Sequence, residues 1–403
     1  MSRVDRNPLL LCVYHTLFGA LFPVAIFPLF WTDDLHMSMT TMLSVQALFG
    51  FVIALFEFPS GYVADRLGHR TALVSGSVIV LLGWVLYTLA HSLAGVVLAE
   101  TVLGVGYSLI SGTDSALLYE SLLARGQEAT FARWYGRMRV CGQLAEGSAS
   151  LVAGLLYARS ARLPFQLEVG AWVVALGLAM ALAPIPTSAP KVERHLQQMG
   201  YIASHVLREN APLRAVMFTT VAFGLMSFIP VWLMALYARD AGMPTAWLGP
   251  FWAAANYVVA LGSLLSERLG TRFGLTTTLS ACIALVAFSY AGLGVSHAMY
   301  GAFFYYGLTL VRGIHAPLLH HEEQRLVPSS DRAGFLSFRN FLFRGCYVLL
   351  GPLVGVAVER YGQHPVLLGC GLLVVLSLIG TTRALASHQA QAAEKIAADP
   401  LNG

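Results

Sequence analysis

We single out seven ionisable side chains inside long apolar stretches of this sequence, where a charge needs a specific reason. The acids all lie in the first half of the chain, and they are Glu57, Glu100, Asp114 and Glu146. The bases all lie in the second half, and they are Arg312, His315 and Arg344. A charged group in hydrocarbon costs roughly 2.5–3.5 kcal/mol on insertion scales, so such residues usually have a functional or structural role.

Three kinds of chemistry would explain these residues, and the residue types leave all three open. A carboxylate removed from water can take up a proton near neutral pH, so Glu57, Asp114 or Glu146 could couple a process to a proton gradient or bind a substrate. Acids and bases could instead pair, either as gate partners or as permanent structural pairs, and His315 fits each role. Arg312 and Arg344 can neutralise acids or hold an anionic substrate group, but they cannot carry the proton because arginine stays protonated.

The apolar stretches themselves define the class of protein. Apolar residues make up 57% of the chain and charged residues only 11%, whereas soluble domains have roughly a quarter charged residues. A transmembrane helix needs about 20 predominantly apolar residues. Twelve such stretches are present, at 8–31, 41–64, 71–91, 94–119, 137–158, 164–185, 213–238, 246–266, 274–294, 298–319, 335–358 and 365–386. We therefore predict an all-α integral membrane protein with twelve transmembrane helices.

The basic residues are distributed unevenly among the connections between these stretches. If both termini are cytoplasmic, most of the 25 Lys and Arg residues fall on the inner side. The outer loops then contain only Arg159, Arg162, Arg239 and Arg360. This asymmetry follows the positive-inside rule and predicts cytoplasmic termini. The same placement explains the net charge of +4, so we predict no binding of nucleic acid.

The sequence contains no convincing metal, cofactor or disulfide site. The five cysteines fall inside apolar stretches without ligand spacing, as small buried residues do. The run His320–Glu323 invites a metal interpretation, but adjacent histidines do not share one face of a helix. We therefore predict neither metal nor cofactor, and we interpret the run as an interfacial polar cluster.

A polar stretch at 186–212 divides the chain into a first half, 1–185, and a second half, 213–386, which is followed by a tail at 387–403. Within this stretch, apolar residues recur every three or four positions, at Val192, Leu196, Met199, Ile202 and Val206. The spacing predicts an amphipathic helix that lies along the cytoplasmic membrane surface. A disordered linker is the alternative.

The second half repeats the first at a nearly constant offset. Shifted by 202 positions, residues 65–70 fall on 267–272; shifted by 201, residues 112–118 and 152–154 fall on 313–319 and 353–355. Three matches in corresponding places indicate two related halves of six helices each. In this alignment Asp114 and His315 occupy equivalent positions.

One short connection, between the second and third apolar stretches, has a recognisable pattern. It contains Gly61, Asp65, Arg66, Gly68 and Arg70 in the spacing G-x-x-x-D-R-x-G-x-R. The glycines allow close approach of helices. The pattern resembles the signature of the major facilitator superfamily of secondary transporters, which includes drug/proton antiporters. The resemblance extends over essentially the whole chain and implies two pseudo-symmetric bundles, a substrate site between them and alternating access.

The resemblance also implies a cytoplasmic gate around this connection. Asp65 would meet the start of the eleventh helix, and Arg70 would pair with Glu120 at the end of the fourth. A weaker counterpart in the second half consists of Glu267, Arg268, Gly270 and Arg272. In that counterpart, Arg272 would pair with Glu322.

Aromatic residues would line the cavity that the resemblance implies, and we single out Tyr14, Trp232, Trp252, Tyr257 and Tyr305. Aromatic rings stack on flat or amphipathic organic molecules, but they also fill ordinary contacts between helices, so both roles stay open.

Two features depart from the pattern of proton-coupled members of the superfamily. Glu100 occupies the position, before Gly104 and Gly106, at which such members often have an arginine. The Gly-Pro-rich segment of drug exporters has its counterpart here at 351–355, in the eleventh helix and not in the fifth. The direction of transport therefore stays open.

We predict a secondary active transporter, not an enzyme, that works as a monomer in the lipid bilayer of a bacterial inner membrane. Proton-coupled export of a small amphipathic or drug-like organic compound is the first hypothesis. The alternative is proton-driven uptake of an organic nutrient or an iron-chelate. The alternative from another class is a receptor or assembly factor that has the same fold and does not transport.

Overall fold

The computed structural model describes residues 3–185, 195–327 and 332–398. Every regular element in these ranges is helical, and helices lie over all twelve predicted stretches. Nine of the described helical segments are long and apolar enough to cross a membrane. The predicted all-α membrane fold is therefore confirmed.

The helices alternate with short connections along the whole chain. In the first half they are α1 (Asn7–Gly19), α2 (Phe27–Leu29), α3 (Met39–Leu67), α4 (His69–Leu89), α5 (Leu93–Ile110), α6 (Thr113–Leu123), α7 (Phe131–Arg159) and α8 (Leu163–Ala181). They continue as α9 (His195–Ser204), α10 (Ala211–Asp240), α11 (Thr245–Phe273), α12 (Leu275–Val295), α13 (Tyr305–Leu326), α14 (Arg332–Tyr361) and α15 (Gln363–Ala398). Single helical turns of 3₁₀ or π type precede or follow several of them.

Two of the predicted transmembrane stretches are interrupted rather than continuous. The first is broken between α1 and α2, where Pro23 cannot donate a backbone hydrogen bond. The N–H of Phe22 in this break donates to a side chain, the carboxylate of Glu168, at 3.0 Å. The fourth stretch is broken between α5 and α6, where Gly112 has the left-handed φ of 79°. The second break places Asp114, a residue of the candidate site, at the start of α6.

The glycine-rich connection of the first half is shorter than the predicted turn. Helix α3 continues through Gly61 to Leu67, and the chain turns at Gly68 alone, whose φ is 86°. In the second half the turn lies at Gly274, with φ 78°. Gly270, which aligns with Gly68, is therefore still inside α11. In the second half, the connection therefore lies one helical turn after the repeated motif.

The described residues form two compact units. The first comprises Met1–Glu193 together with Met243–Asn256 and Val348–Val356, two segments that come from the second half of the chain. Its interior contains an aromatic core, in which the rings of Tyr87 and Phe165 stack at 5.1 Å. Trp84 and Trp172 are buried in the same core.

The second unit comprises Arg194–Gly242, Tyr257–Tyr347 and Ala357–Gly403. Helix α9 belongs to it, since Ile202 and Val206 are buried together with Met217 and Phe335 in one apolar cluster. Val192 lies outside the described residues, and so do the side chains of Leu196 and Met199. The described part of the predicted apolar face is therefore used for packing within this unit.

Candidate functional site

An acid and a base of the first unit meet where α1 approaches α6. His15 Nδ1 lies 3.2 Å from Asp114 Oδ2, and only 8% and 13% of the two side chains are exposed. The distance is that of an ion pair, although the atoms are not aligned as a hydrogen bond. The other carboxylate oxygen of Asp114 accepts the N–H of Ser115 at 2.7 Å. The pair therefore brings an acidic and a basic side chain into contact inside the first unit.

The local backbone explains why these two side chains meet. The break at Gly112 starts a new helix, so Asp114 lies in the first turn of α6, where the helix dipole stabilises a negative charge. His15 stacks on Phe18 at 5.2 Å on its own helix. Gly142 of α7 passes close to the imidazole, and a methyl group there would lie 3.0 Å from His15 Cδ2. The small residue on α7 thus leaves room for the imidazole beside Asp114.

A second cluster of the first unit is built around Glu146 of α7. Its carboxylate accepts the indole N–H of Trp252 at 3.3 Å and the amide N–H of Asn256 at 3.1 Å. Both donors lie on the first half of α11, in the segment that belongs to this unit. All three side chains are only partly buried. A carboxylate, an amide and an indole ring are thus held together at an accessible position.

Close contact between two backbones holds α7 and α11 at this position. A methyl group on Gly154 would meet the carbonyl of Thr245, and one on Gly249 would meet the carbonyl of Ser150. Only glycine allows this approach, so the two glycines fix the spacing of the helices one to two turns from Glu146.

Two further acids singled out from the sequence, Glu57 and Glu100, also lie in the first unit. Glu57 is half-buried on α3. Glu100 is buried, and its carboxylate accepts hydrogen bonds from Gln46 at 3.1 Å and from Tyr87 at 2.9 Å. Trp31 extends the network by donating to the Tyr87 hydroxyl at 2.8 Å. Glu100 is thus part of a closed network inside the bundle.

The bases of the second unit lie in different environments. His315 of α13 is 4% exposed and stacks on Phe223 of α10 at 4.6 Å. Neither of its ring nitrogens has a hydrogen-bond partner in the described part of the chain. Arg312, one turn earlier, is exposed, and Arg344 of α14 is half-buried.

The aromatic residues that were predicted to line a cavity divide into two groups. Tyr14 and Tyr305 have at most 1% exposure, so each is enclosed by packing. The Tyr14 hydroxyl lies 2.9 Å from the Ser77 hydroxyl. Trp232 is half-buried and lies in an aromatic cluster with Phe228 of α10, whereas 44% of Tyr257 is exposed. Both residues therefore keep exposed ring surface within the second unit.

The gate pairs expected from the sequence are not the pairs that form. Arg70 donates to the main-chain carbonyls of Leu182 and Met180, both at 2.7 Å. Glu120 lies 3.3 Å from His69 Nε2 instead. The carbonyls at the end of α8 have no helical partners, which makes them strong acceptors for a guanidinium. The predicted pairing of Arg70 with Glu120 is thus wrong for this structure.

The structure describes some of the other gate residues completely and others only in part. The side chain of Asp65 lies outside the described residues, and Arg66 is exposed. In the second half, Glu267 and Arg268 are exposed near the end of α11, and a methyl group on Gly270 would clash with Leu318.

The predicted second-half pair also forms differently. Arg272 lies over the ring of Phe273 at 5.3 Å. Glu322 binds Arg325 at 2.9 Å, one turn along its own helix. Glu322, the expected partner of Arg272, is therefore paired with Arg325.

The comparison with known families decides what kind of protein this is. The family model described as Major Facilitator Superfamily matches residues 9–345. The chain belongs to the major facilitator superfamily. It is therefore a multi-pass membrane protein of a secondary-transporter family.

Similar proteins agree with this assignment. The inner membrane transport protein YajR of Escherichia coli (strain K12) is 26% identical over 231 residues, which cover 54% of this chain and 46% of that protein. The match therefore spans less than half the length of that relative. Among solved structures, the nucleoside transporter NupG has a TM-score of 0.76 at 14% identity, with 95% of this chain and 99% of that chain covered. A variant of the peptide transporter POT has a TM-score of 0.74 at 12% identity, with 94% and 93% covered. Similarity at this level shows the fold.

Several polar residues of this superfamily member were not expected from the sequence. Asn256 has no charge and no motif around it. Glu168 lies in an apolar stretch and satisfies the same criterion as the other acids; besides Phe22 it accepts the indole N–H of Trp172 at 3.0 Å. In the run His320–Glu323, Glu323 is fully buried and binds Arg339 of α14 at 2.6 Å.

Proposed function

We propose that this transporter exports a small amphipathic organic compound across a bacterial inner membrane and that protons moving inward drive the export. The observation that carries the proposal is the contact of His15 with Asp114. An acid and a base within 3.2 Å of each other, with little water around them, can exchange between a charged and a neutral pair. That exchange alters the attraction between α1 and α6, two elements of the first unit.

The Glu146 cluster provides the binding chemistry in this proposal. A substrate with an amino group can replace Asn256 as the donor to the Glu146 carboxylate, because a charged donor forms a stronger hydrogen bond than an amide. The indole of Trp252 presents a ring face to the same cation, which suits a flat or amphipathic organic amine.

Uptake of an anionic nutrient is the second candidate, and Arg312 favours it. Its guanidinium is exposed and has no ion pair among the described residues, so it can bind a carboxylate or a phosphate. The fold similarity to transporters of nucleosides and peptides fits uptake as well as export. The two hypotheses differ in the charge of the substrate and in the direction of the gradient that drives it.

The decisive experiment measures flux in proteoliposomes under an imposed pH gradient, with organic amines and with carboxylate-bearing nutrients. We expect amine transport against the proton flow, and we expect Glu146→Gln to reduce it at least about tenfold, mainly through a higher KM. Glu128→Gln is the matched control, since Glu128 is an exposed carboxylate outside the clusters and should leave the rate unchanged.

Other outcomes would contradict the proposal in distinct ways. Transport of anions with the proton flow, lost in Arg312→Gln and kept in Glu146→Gln, would favour uptake. Flux that ignores the pH gradient in all variants would end the coupling hypothesis. No flux of any compound, with an intact protein, would support the non-transporting alternative.

A further inference from the structure

A groove of about 450 Å³ runs along α12 and α15 in the second unit, away from the residues discussed so far. One end is polar, with Thr276 and Ser280 on α12 and Thr382 and Arg383 on α15. The remainder is apolar, with Ile283, Ala287, Val375 and Ile379 among its lining residues. We infer that this groove binds one anionic phospholipid, with the phosphate at Arg383 and an acyl chain along the apolar part.

The polar end has the chemistry of a phosphate site. Arg383 is exposed and has no ion pair or hydrogen bond to any part of the chain that the structure describes. Thr276 lies in the first turn of α12, whose N-cap, Gly274, contributes no side-chain hydrogen bond. The positive end of the helix dipole favours an anion at such a position.

Thr382 provides an independent observation that supports a ligand at this end of the groove. Its side chain lines the groove, only 3% of the residue is exposed, and its hydroxyl has no hydrogen-bond partner among the described residues. A buried hydroxyl without a partner is costly, so such groups are normally satisfied by a ligand or an ordered water. Thr381, the next residue, is already satisfied by the carbonyl of Leu378. A phosphate oxygen at Arg383 would supply the partner that Thr382 lacks.

The dimensions and surroundings of the groove fit a lipid rather than a free ion. From Thr276 to Ala287 the groove follows α12 for about 16 Å, which is close to the thickness of one leaflet of hydrocarbon. Large apolar side chains beside it are exposed, among them Phe288 on α12 and Leu373 and Leu376 on α15. This face therefore borders the acyl region of the bilayer. Basic pockets between transmembrane helices are known to bind anionic head groups.

The inference is independent of the transported substrate and can be tested by binding alone. The full chain is purified in detergent, and native mass spectrometry measures retention of phosphatidylglycerol, phosphatidylcholine or added inorganic phosphate. We expect one phosphatidylglycerol per chain and a higher Tm in its presence. Arg383→Gln should weaken this binding at least about tenfold, and Thr382→Val roughly fivefold, because each removes a hydrogen bond to the charged phosphate.

Matched controls separate the groove from general attraction of lipid. Arg133→Gln removes an exposed arginine on α7, and Thr381→Val removes the neighbouring hydroxyl; both should bind as the unchanged protein does. Ala284→Trp fills the apolar part and should also abolish retention, which keeps the test valid if Arg383→Gln does not fold.

Three results would overturn the inference. One is equal retention of phosphatidylglycerol by the unchanged protein and by the Arg383, Thr382 and Ala284 variants. Another is equal affinity for phosphatidylcholine and phosphatidylglycerol. The last is full competition by inorganic phosphate at the concentration of the lipid, which would indicate a simple anion site.

Discussion

Asp114 in the first unit and His315 in the second are equivalent by the internal repeat, but their surroundings are opposite in kind. Asp114 has an ionisable partner, His15, at 3.2 Å. His315 has an aromatic neighbour, Phe223, at 4.6 Å and no hydrogen-bond partner in the described ranges. One position therefore suits a change of charge, and the other suits packing.

The backbone around the two residues explains the difference. Gly112 has a φ of 79° and breaks the helix just before Asp114, which places the acid at a helix N-terminus. Its counterpart, Gly313, is inside the continuous helix α13, where a methyl group would meet the carbonyl of Val259 on α11. At these equivalent positions, Gly112 thus allows a helix break in the first half, and Gly313 allows close packing of two helices in the second half. Equivalent positions in the two halves therefore differ in whether they bring ionisable groups together.

The largest expected effect comes from removing the acid of the first unit. Asp114→Asn should reduce proton-driven transport by more than about tenfold, because the amide cannot exchange the proton or balance a charge on His15. The measurement is the initial flux in proteoliposomes at a fixed pH gradient.

A double variant tests whether the two residues act as one unit. If they do, His15→Gln combined with Asp114→Asn should be no worse than either single change, since the interaction is already lost. Losses that multiply in the double variant would show that Asp114 acts without His15, and the comparison with His315 would then lose its basis.

An intermediate effect is expected from the glycine beside the imidazole. Gly142→Ala places a methyl group 3.0 Å from His15 Cδ2, so the imidazole beside Asp114 must give way by a few tenths of an ångström. We expect transport to fall roughly threefold and the free energy of unfolding to drop by about 1–3 kcal/mol, as overpacking does. The matched change in the second half is Gly345→Ala on α14, where an added methyl group meets nothing within 4 Å. That variant should keep its transport rate and its Tm; equal damage by both would mean that helix flexibility, not the imidazole, matters.

The helices that contain Asp114 and His315, and the equivalence of the two positions, could be predicted from the sequence. Hydropathy predicted the twelve helical stretches, and the repeat paired residue 114 with residue 315, because both depend on patterns along the chain. The partner of Asp114 could not be predicted. His15 is distant in sequence, and its contact depends on how α1 approaches the break at Gly112.

The gate residues show a second limit of prediction from sequence. Arg70 binds the carbonyls of Met180 and Leu182. Every residue has a main-chain carbonyl, so the sequence does not indicate which of them an arginine will bind. The position of the turn after α11 was equally unpredictable. Either Gly270 or Gly274 could end α11, and the chain turns at Gly274. Side-chain types specify which charges are available, but helix ends and backbone acceptors decide which of them meet.

The smallest effect is expected at His315, and it is the sharpest test of the comparison. Phenylalanine is larger than the imidazole but keeps an aromatic ring that can stack on Phe223, and no hydrogen bond to the described residues is lost. His315→Phe should therefore change proton-driven flux by less than about twofold, while the free energy of unfolding drops by about 1–3 kcal/mol because the larger ring overpacks the core. His15→Phe is the matched change in the first unit and should be as damaging as Asp114→Asn. If His315→Phe abolishes coupling as well, the second unit also takes part in proton transfer, and the assignment of the ionic chemistry to the first unit alone is wrong.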